Sequence, residues 1–287
     1  MIAAPDIVSV VLRALWFVLL FQAAGAALFV AMLGSGVPDS SSDIRRVGVW
    51  AGVLAIVFLC GHYSLEAARM AGDFSGMSAA SLQGLVLRSS TSVALALRVA
   101  GMGLVILSLC MTAPRGRAMG LIGALLAGVA FTLTGHTSVH AHRPLLALLL
   151  LSHVLIAMFW FGSLWPLWLV SARESRERAG RVVESFSAIA VWLVPLLLAA
   201  GLVMTAILVP GWGTFLQPYG ELLIVKGVLF AGLMGFAAAN KRRFGPGIAA
   251  GVPNAAGRFR WAVAAEGVLL GVVLSVTACL TTFFSPE

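Results

Sequence analysis

Long apolar runs separated by short polar breaks recur along the chain, at approximately residues 8–33, 47–69, 91–112, 117–136, 144–170, 187–209, 221–240 and 260–283. A helix crosses the hydrocarbon core of a bilayer with about 20 mostly apolar residues, and each run reaches that length. The pattern predicts an all-α polytopic membrane protein, one domain over residues 1–287, built as a bundle of about eight transmembrane helices. Each break has a local cause. Residues 34–46 contain Gly, Pro, Ser and Asp, which favour turns, and residues 71–90 read as a polar loop. Pro114-Arg115-Gly116-Arg117 is a short basic turn, and Pro144 stands where a helix can begin without losing a needed hydrogen bond. The segment Gly211 to Pro218 combines breakers with interfacial aromatics, and residues 244–258 are rich in Gly and Pro. The first run, Ile7 to Leu33, far exceeds the roughly 7–15 apolar residues of a cleavable signal. It is expected to stay as the first helix. No internal repeat or low-complexity tract interrupts the pattern.

Composition excludes the water-soluble alternatives. The chain is 60% hydrophobic and only 10% charged, with a mean hydropathy of +1.01, whereas a soluble domain carries about a quarter charged residues. A net charge of +8 would suggest nucleic acid in a soluble protein. Here the cations fall between the apolar runs, where membrane orientation and anionic lipid account for them, so the bilayer is the expected partner and nucleic acid is not. The breaks after runs 1, 3, 5 and 7 hold Arg45, Arg46, Arg115, Arg117, Arg173, Arg176, Arg178, Arg181, Lys241, Arg242, Arg243, Arg258 and Arg260. The opposite ends hold only Arg13, Arg69, Arg88 and Arg143. By the positive-inside rule the basic breaks face the cytoplasm. Both termini then face outward, into the periplasm of a Gram-negative bacterium. The three cysteines, Cys60, Cys110 and Cys279, lie in or beside apolar runs without CxxC spacing and form no disulfide framework.

Polar side chains within spans cost free energy and mark function by default; here they are Gln22, His62, Glu66, Arg98, His153, Lys226 and Glu266. All five histidines project to the outer half or its surface. His136, His140 and His142 cluster where the fourth run meets a short loop. His136 and His140 are one helical turn apart, while His140 and His142 would converge on one ion only in an extended chain. Imidazole suits copper, zinc, iron and nickel. His62 lies ~10 Å below the outer end of the second helix and His153 ~13 Å below the outer end of the fifth, at 1.5 Å per residue. Arg98 projects to a similar depth, and Glu66 sits one turn above His62. These matched depths suggest a shared site. Met102, Met158 and Met204 offer thioethers suited to Cu(I), although methionine often fills gaps. Lys226, near the outer end of the seventh run, can snorkel to the interface. Glu266, near the inner end of the eighth, is expected to meet Asn240 or the basic residues 241–243. No P-loop, GxSxG, HExxH or Rossmann glycine motif is present, and no enzymatic activity is expected.

The segment from Gly135-His136 through Ser152-His153 to Trp160-Phe161-Gly162-Ser163-Leu164-Trp165-Pro166 resembles the copper-resistance protein D (CopD) family of membrane proteins. So do Phe186-Ser187, Tyr219-Gly220 with Lys226, Asn240-Lys241-Arg242-Arg243, and Glu266 with Gly271. The resemblance covers about residues 130–283 well and the first three helices only through topology. Two positions depart from it. The family often has Trp-x-Gly-Gly where this chain has Ser163 last, and an acidic residue where this chain has Leu150. The resemblance implies an eight-helix inner-membrane protein that moves copper from the periplasm toward the cytoplasm, in some members beside a small periplasmic copper-binding protein.

Three readings follow. In the first, His136, His140 and His142 capture copper, as Cu(I) or Cu(II), and His62 and His153 bind it within the bundle with help from Met102, Met158 or Met204. In the second, His62 and His153 are axial ligands of a b-type haem in an electron-transfer protein, with Arg98 on a propionate. In the third, the protein delivers copper to another membrane enzyme without net transport.

Overall fold

The computed structural model describes residues 3–112, 114–135, 139–209 and 211–283. Among them are ten α-helices and no strand. Helices α1 (Ala4–Leu33), α2 (Ser41–Ala71), α4 (Ser90–Cys110), α5 (Pro114–Val129), α6 (Arg143–Arg173), α7 (Arg176–Leu208), α8 (Pro218–Ala239) and α10 (Ala255–Phe283) belong to the eight spans that are long and apolar enough to cross a membrane. The remaining two are short, α3 (Ala80–Leu87) and α9 (Gly245–Ala249). Successive spans alternate in direction. The bundle therefore has a basic end, with the 41–46, 173–181 and 241–260 segments, and a histidine end, with residues 139–143.

Helix α1 is the axis of the bundle, packed against α2, α4, α5, α6 and α10. Its most apolar stretch is 67% buried, against 11% for α7 and 6% for α8, which lie at the periphery. Lipid tails are as apolar as leucine, so helices in a bilayer associate through close packing and hydrogen bonds rather than by escaping solvent. Glycines supply the closeness. A Cβ on Gly25 would stand 2.6 Å from the Gly162 Cα, so α1 and α6 cross there with backbones in contact. Gly101 and Gly123 do the same for α4 and α5, where a Cβ on either would meet the other's carbonyl oxygen at 2.6 Å.

Long side chains close the helix ends at the basic end. The last carbonyls of a helix lack intrahelical partners. Arg45 donates to those of Ser108, Leu109 and Met111 at 3.4, 3.1 and 2.7 Å, capping α4. The buried Glu174 carboxylate accepts the Asp39 N–H, the Ser40 N–H and the Ser40 hydroxyl, each at 2.9 Å, and so caps α2 from the end of α6.

Several helices outrun the apolar runs that announced them. Helix α2 begins at Ser41 rather than near 47, α7 at Arg176 rather than near 187, and α10 at Ala255 rather than near 260. Hydropathy marks the hydrocarbon, whereas charged residues such as Arg and Glu continue a helix well beyond it. The 71–90 segment is not merely a loop: Asp73 accepts the Ser75 N–H at 2.7 Å to start a 3₁₀ turn, and α3 follows. Beyond α8 the chain stays helical through a π-turn, Asn240–Phe244, into α9, with Pro246 tolerated in the first turn.

Candidate functional site

His62 stands in a polar cluster that joins α1, α2 and α10. Its Nε2 lies 3.1 Å from both the Arg13 Nε and the Ser9 hydroxyl. A guanidinium can only donate, so Nε2 accepts and the ring proton sits on Nδ1, 3.8 Å from Glu66. Arg13 also donates to the Thr281 carbonyl at 2.7 Å and approaches Glu66 at 3.9 Å. Arg69 pairs with Asp6 at 3.0 Å and with Glu66 at 3.4 Å, and reaches the Thr282 carbonyl at 3.3 Å. Arg98 is buried between the Trp16 and Phe131 rings, 4.9 Å from each centroid, and donates to the Ala130 carbonyl at 3.3 Å and the Thr134 hydroxyl at 3.4 Å. Trp16 in turn lies 6.2 Å from the His62 ring. Trp16 thus lies against both Arg98 and His62, and Glu66 flanks His62 one turn along α2. Ser9, Arg13, Asp6 and Arg69 complete the cluster, and no periodicity in the sequence distinguishes them.

With His62 neutral, Arg13, Arg69 and Arg98 outnumber Asp6 and Glu66 by one charge. The single lone pair of His62 is already taken. This arrangement clamps α1, α2 and α10 together and offers poor terms to a cation.

His153 faces elsewhere. Its Nδ1 lies 3.0 Å from the Leu197 carbonyl on α7. A carbonyl only accepts, so Nδ1 carries the proton and Nε2 holds a lone pair with no hydrogen-bond partner among the described residues. Gly201 admits the ring: a Cβ there would stand 3.4 Å from its Cε1. Lys226, half-buried on α8, is close enough to bear on the imidazole electrostatically. The sequence placed Lys226 at the interface and did not associate it with His153. No hydrogen bond or ring contact among the described residues joins His62 to His153. Axial haem ligation by both histidines would require His62 Nε2 to give up the hydrogen bond it accepts from Arg13.

His140 and His142 do meet. Their ring centroids are 5.5 Å apart at 37°. They meet in a turn rather than an extended strand, because the His142 N–H donates to His140 Nδ1 at 3.1 Å and draws the residues together at the start of α6. His140 is half-buried and His142 exposed. His136 lies outside the described residues. Met102 and Met158 are wholly buried in the core, and Met204 is half-buried on α7. Gln22 donates to the Gly162 carbonyl at 3.3 Å, at the α1–α6 crossing.

Glu266 accepts from the Asn240 amide and from the Trp160 indole. Of its two expected partners, Asn240 is the one observed. These residues close one end of a cavity of about 240 Å³ between α6, α7, α8 and α10. Trp160, Leu164, Phe186, Ser187, Asn240 and Glu266, which carry the family resemblance, all line it. Four separate sequence segments thus converge on one place. Among the described residues no three of His, Cys, Asp and Glu gather as a ready-made metal site.

Residues 180–280 match the family described as copper resistance protein D, and residues 3–143 match the copper resistance protein D-like N-terminal domain. The chain belongs to the copper resistance protein D family. The N-terminal match extends the kinship to the helices that the sequence motifs reached only through topology. The chain is also 32% identical over 134 residues to "Inner membrane protein YebZ" of Escherichia coli (strain K12). That segment is 45% of this chain and 46% of the relative, so the likeness spans about half of each. No solved structure matches. The protein is thus a multi-pass membrane member of a copper-resistance family, with an imidazole pair at one end and, among the described residues, a single free imidazole within the bundle.

Proposed function

We propose that this member of the copper resistance protein D family takes up copper across the bacterial inner membrane, receiving it at the histidine end. The observation that carries the reading is His153: its Nδ1–H is held by a backbone carbonyl while Nε2 stays bare. A second hydrogen bond of this kind is how metal-ligating histidines are usually oriented. His140 and His142 stand at the start of the same helix. From Arg143, its first residue, to His153 is about ten residues, or about 15 Å along α6 at 1.5 Å per residue.

Copper is the substrate in this reading. His142 and His140 capture it, His140 by giving up the exposed bond to the His142 N–H, a loss of about 0.5–1.5 kcal/mol. His136 adjoins them in sequence. The ion then passes to His153, with the thioether of Met204 on the neighbouring helix as a further soft ligand. Lys226 weakens the hold at His153, as a site that must release its ion requires. Met102 and Met158 serve packing, and the His62 cluster serves cohesion. The excess of Lys and Arg at the other end supports a cytoplasmic basic end and periplasmic termini. The name of the Escherichia coli relative supports the inner membrane, and a periplasmic copper-binding protein is a fitting donor. The chain acts as a carrier rather than an enzyme.

The test is copper accumulation in cells expressing His153→Ala or the double variant His140→Ala/His142→Ala at matched membrane levels. Accumulation should fall at least about tenfold for His153→Ala, the scale seen when ligand geometry is lost. Uptake unchanged in both variants would refute the proposal. Copper bound to the purified protein without any accumulation in cells would favour delivery to a membrane partner instead.

A further inference from the structure

The cavity between α6, α7, α8 and α10 is set apart from the histidines and lies at the basic end. It is walled by the N-terminal half of α7 and the C-terminal end of α8, the two least buried spans. On α7, Val191 and Pro195 are both wall residues and exposed, and so is Ala238 on α8. The cavity therefore opens sideways between these helices at the depth of the hydrocarbon. Its walls are apolar apart from Ser187, the Asn240–Glu266 pair and Lys241.

The polar end has a definite sign. Lys241 lines it, and Arg242 and Arg243 follow in the same π-turn; all three are exposed. No carboxylate among the described residues pairs with any of them. Helix α8 has 22 residues, a length of about 33 Å, which places this turn at the membrane–water boundary when Pro218 stands at the opposite one. Glu266, the one acid in the wall, is 3% exposed and engaged by Asn240 and Trp160, so it leaves the three cations uncompensated. An apolar slot open to the acyl chains, ending below three unpaired cations at headgroup level, has the chemistry of an anionic lipid site.

We infer that this cavity holds one acyl chain of an anionic phospholipid whose phosphate rests on Lys241, Arg242 and Arg243. The site is independent of the copper reading, since no histidine contributes to it. Occupation covers α7 and α8 where they lack protein neighbours, and so ties the peripheral spans to the bundle.

The experiment is thermal unfolding of the purified full chain in detergent, with phosphatidylglycerol, phosphatidylcholine or sn-glycerol 3-phosphate added, alongside native mass spectrometry of retained lipid. Phosphatidylglycerol should raise the melting temperature by about 3 °C or more beyond phosphatidylcholine. The surface variant Lys241→Gln/Arg242→Gln/Arg243→Gln should melt normally without lipid and lose that preference. Ala237→Phe, which fills the slot, should reduce retained phospholipid severalfold. Equal shifts with the two lipids, or a preference surviving the triple substitution, would overturn the inference. An equal shift with sn-glycerol 3-phosphate would also overturn it, because a soluble phosphate would then suffice.

Discussion

Two histidines at nearly the same depth in one bundle have opposite chemical prospects. His62 accepts a hydrogen bond from Arg13 on its only lone pair, among three arginines and two acids. His153 donates to a backbone carbonyl and keeps its lone pair bare, with one lysine nearby. The first region is a clamp and the second a site that can take a ligand. A histidine in a membrane helix is therefore judged by what occupies its second nitrogen, not by its depth.

The comparison breaks most severely at Arg13. Arg13→Ala should remove the bond to His62 and the tie to Thr281, leaving Arg69 as the one arginine paired with Glu66. A fully buried pair broken from one side costs about 3–5 kcal/mol. Glu66 is 21% exposed, so a loss of about 2–3 kcal/mol is expected, read as a lowered melting temperature. Combined with Ser9→Ala, which removes the other donor 3.1 Å from the ring, Arg13→Ala should free His62 Nε2 and add a copper-binding event detectable by titration. A melting temperature that does not move would show that the cluster is not a clamp.

Crossed measurements on the two histidines sharpen the contrast. His62→Ala should destabilise the protein by about 1–3 kcal/mol, the usual penalty for leaving buried partners unsatisfied, while copper affinity stays within a factor of about two. His153→Ala should do the reverse, with copper affinity down at least about tenfold and stability changed little. If both variants lose affinity equally, the two regions act as one site and the distinction fails. The smallest expected effect is at Lys226. Lys226→Met removes the cation whose field reaches His153 and should tighten copper binding about three- to tenfold, equivalent to about 0.7–1.4 kcal/mol. Unaltered affinity would place Lys226 outside the electrostatic reach of the bound ion.

Much of the fold was legible because hydrocarbon imposes a length and a polarity on every span. The apolar runs marked eight helices, and positions near one end placed Glu266 against Asn240 or the basic residues 241–243, of which Asn240 is the partner observed. The runs could not mark where α2, α7 and α10 begin, since helices continue into water on charged residues. Arg13 was legible only as one cation at the sparsely charged end. Its importance comes from Ser9, His62, Glu66 and Thr281, which lie on three different helices. The Glu174 cap of α2 is illegible in the sequence for the same reason: its partners, Asp39 and Ser40, are far away in the chain.

What the sequence determined by itself was the number of spans, the sign of charge at each end, and the depth of each polar side chain. Depth follows from counting residues at a constant rise per residue. Which direction a side chain faces around its helix, and which neighbour stands there, was decided only by the tertiary structure. That choice rests on close crossings such as Gly25 against Gly162, where two distant glycines set how α1 and α6 are rotated. The rotation turns His153 toward the Leu197 carbonyl on α7, while α1 and α2 bring His62 against Arg13. The chemistry of the bundle follows from that difference in direction.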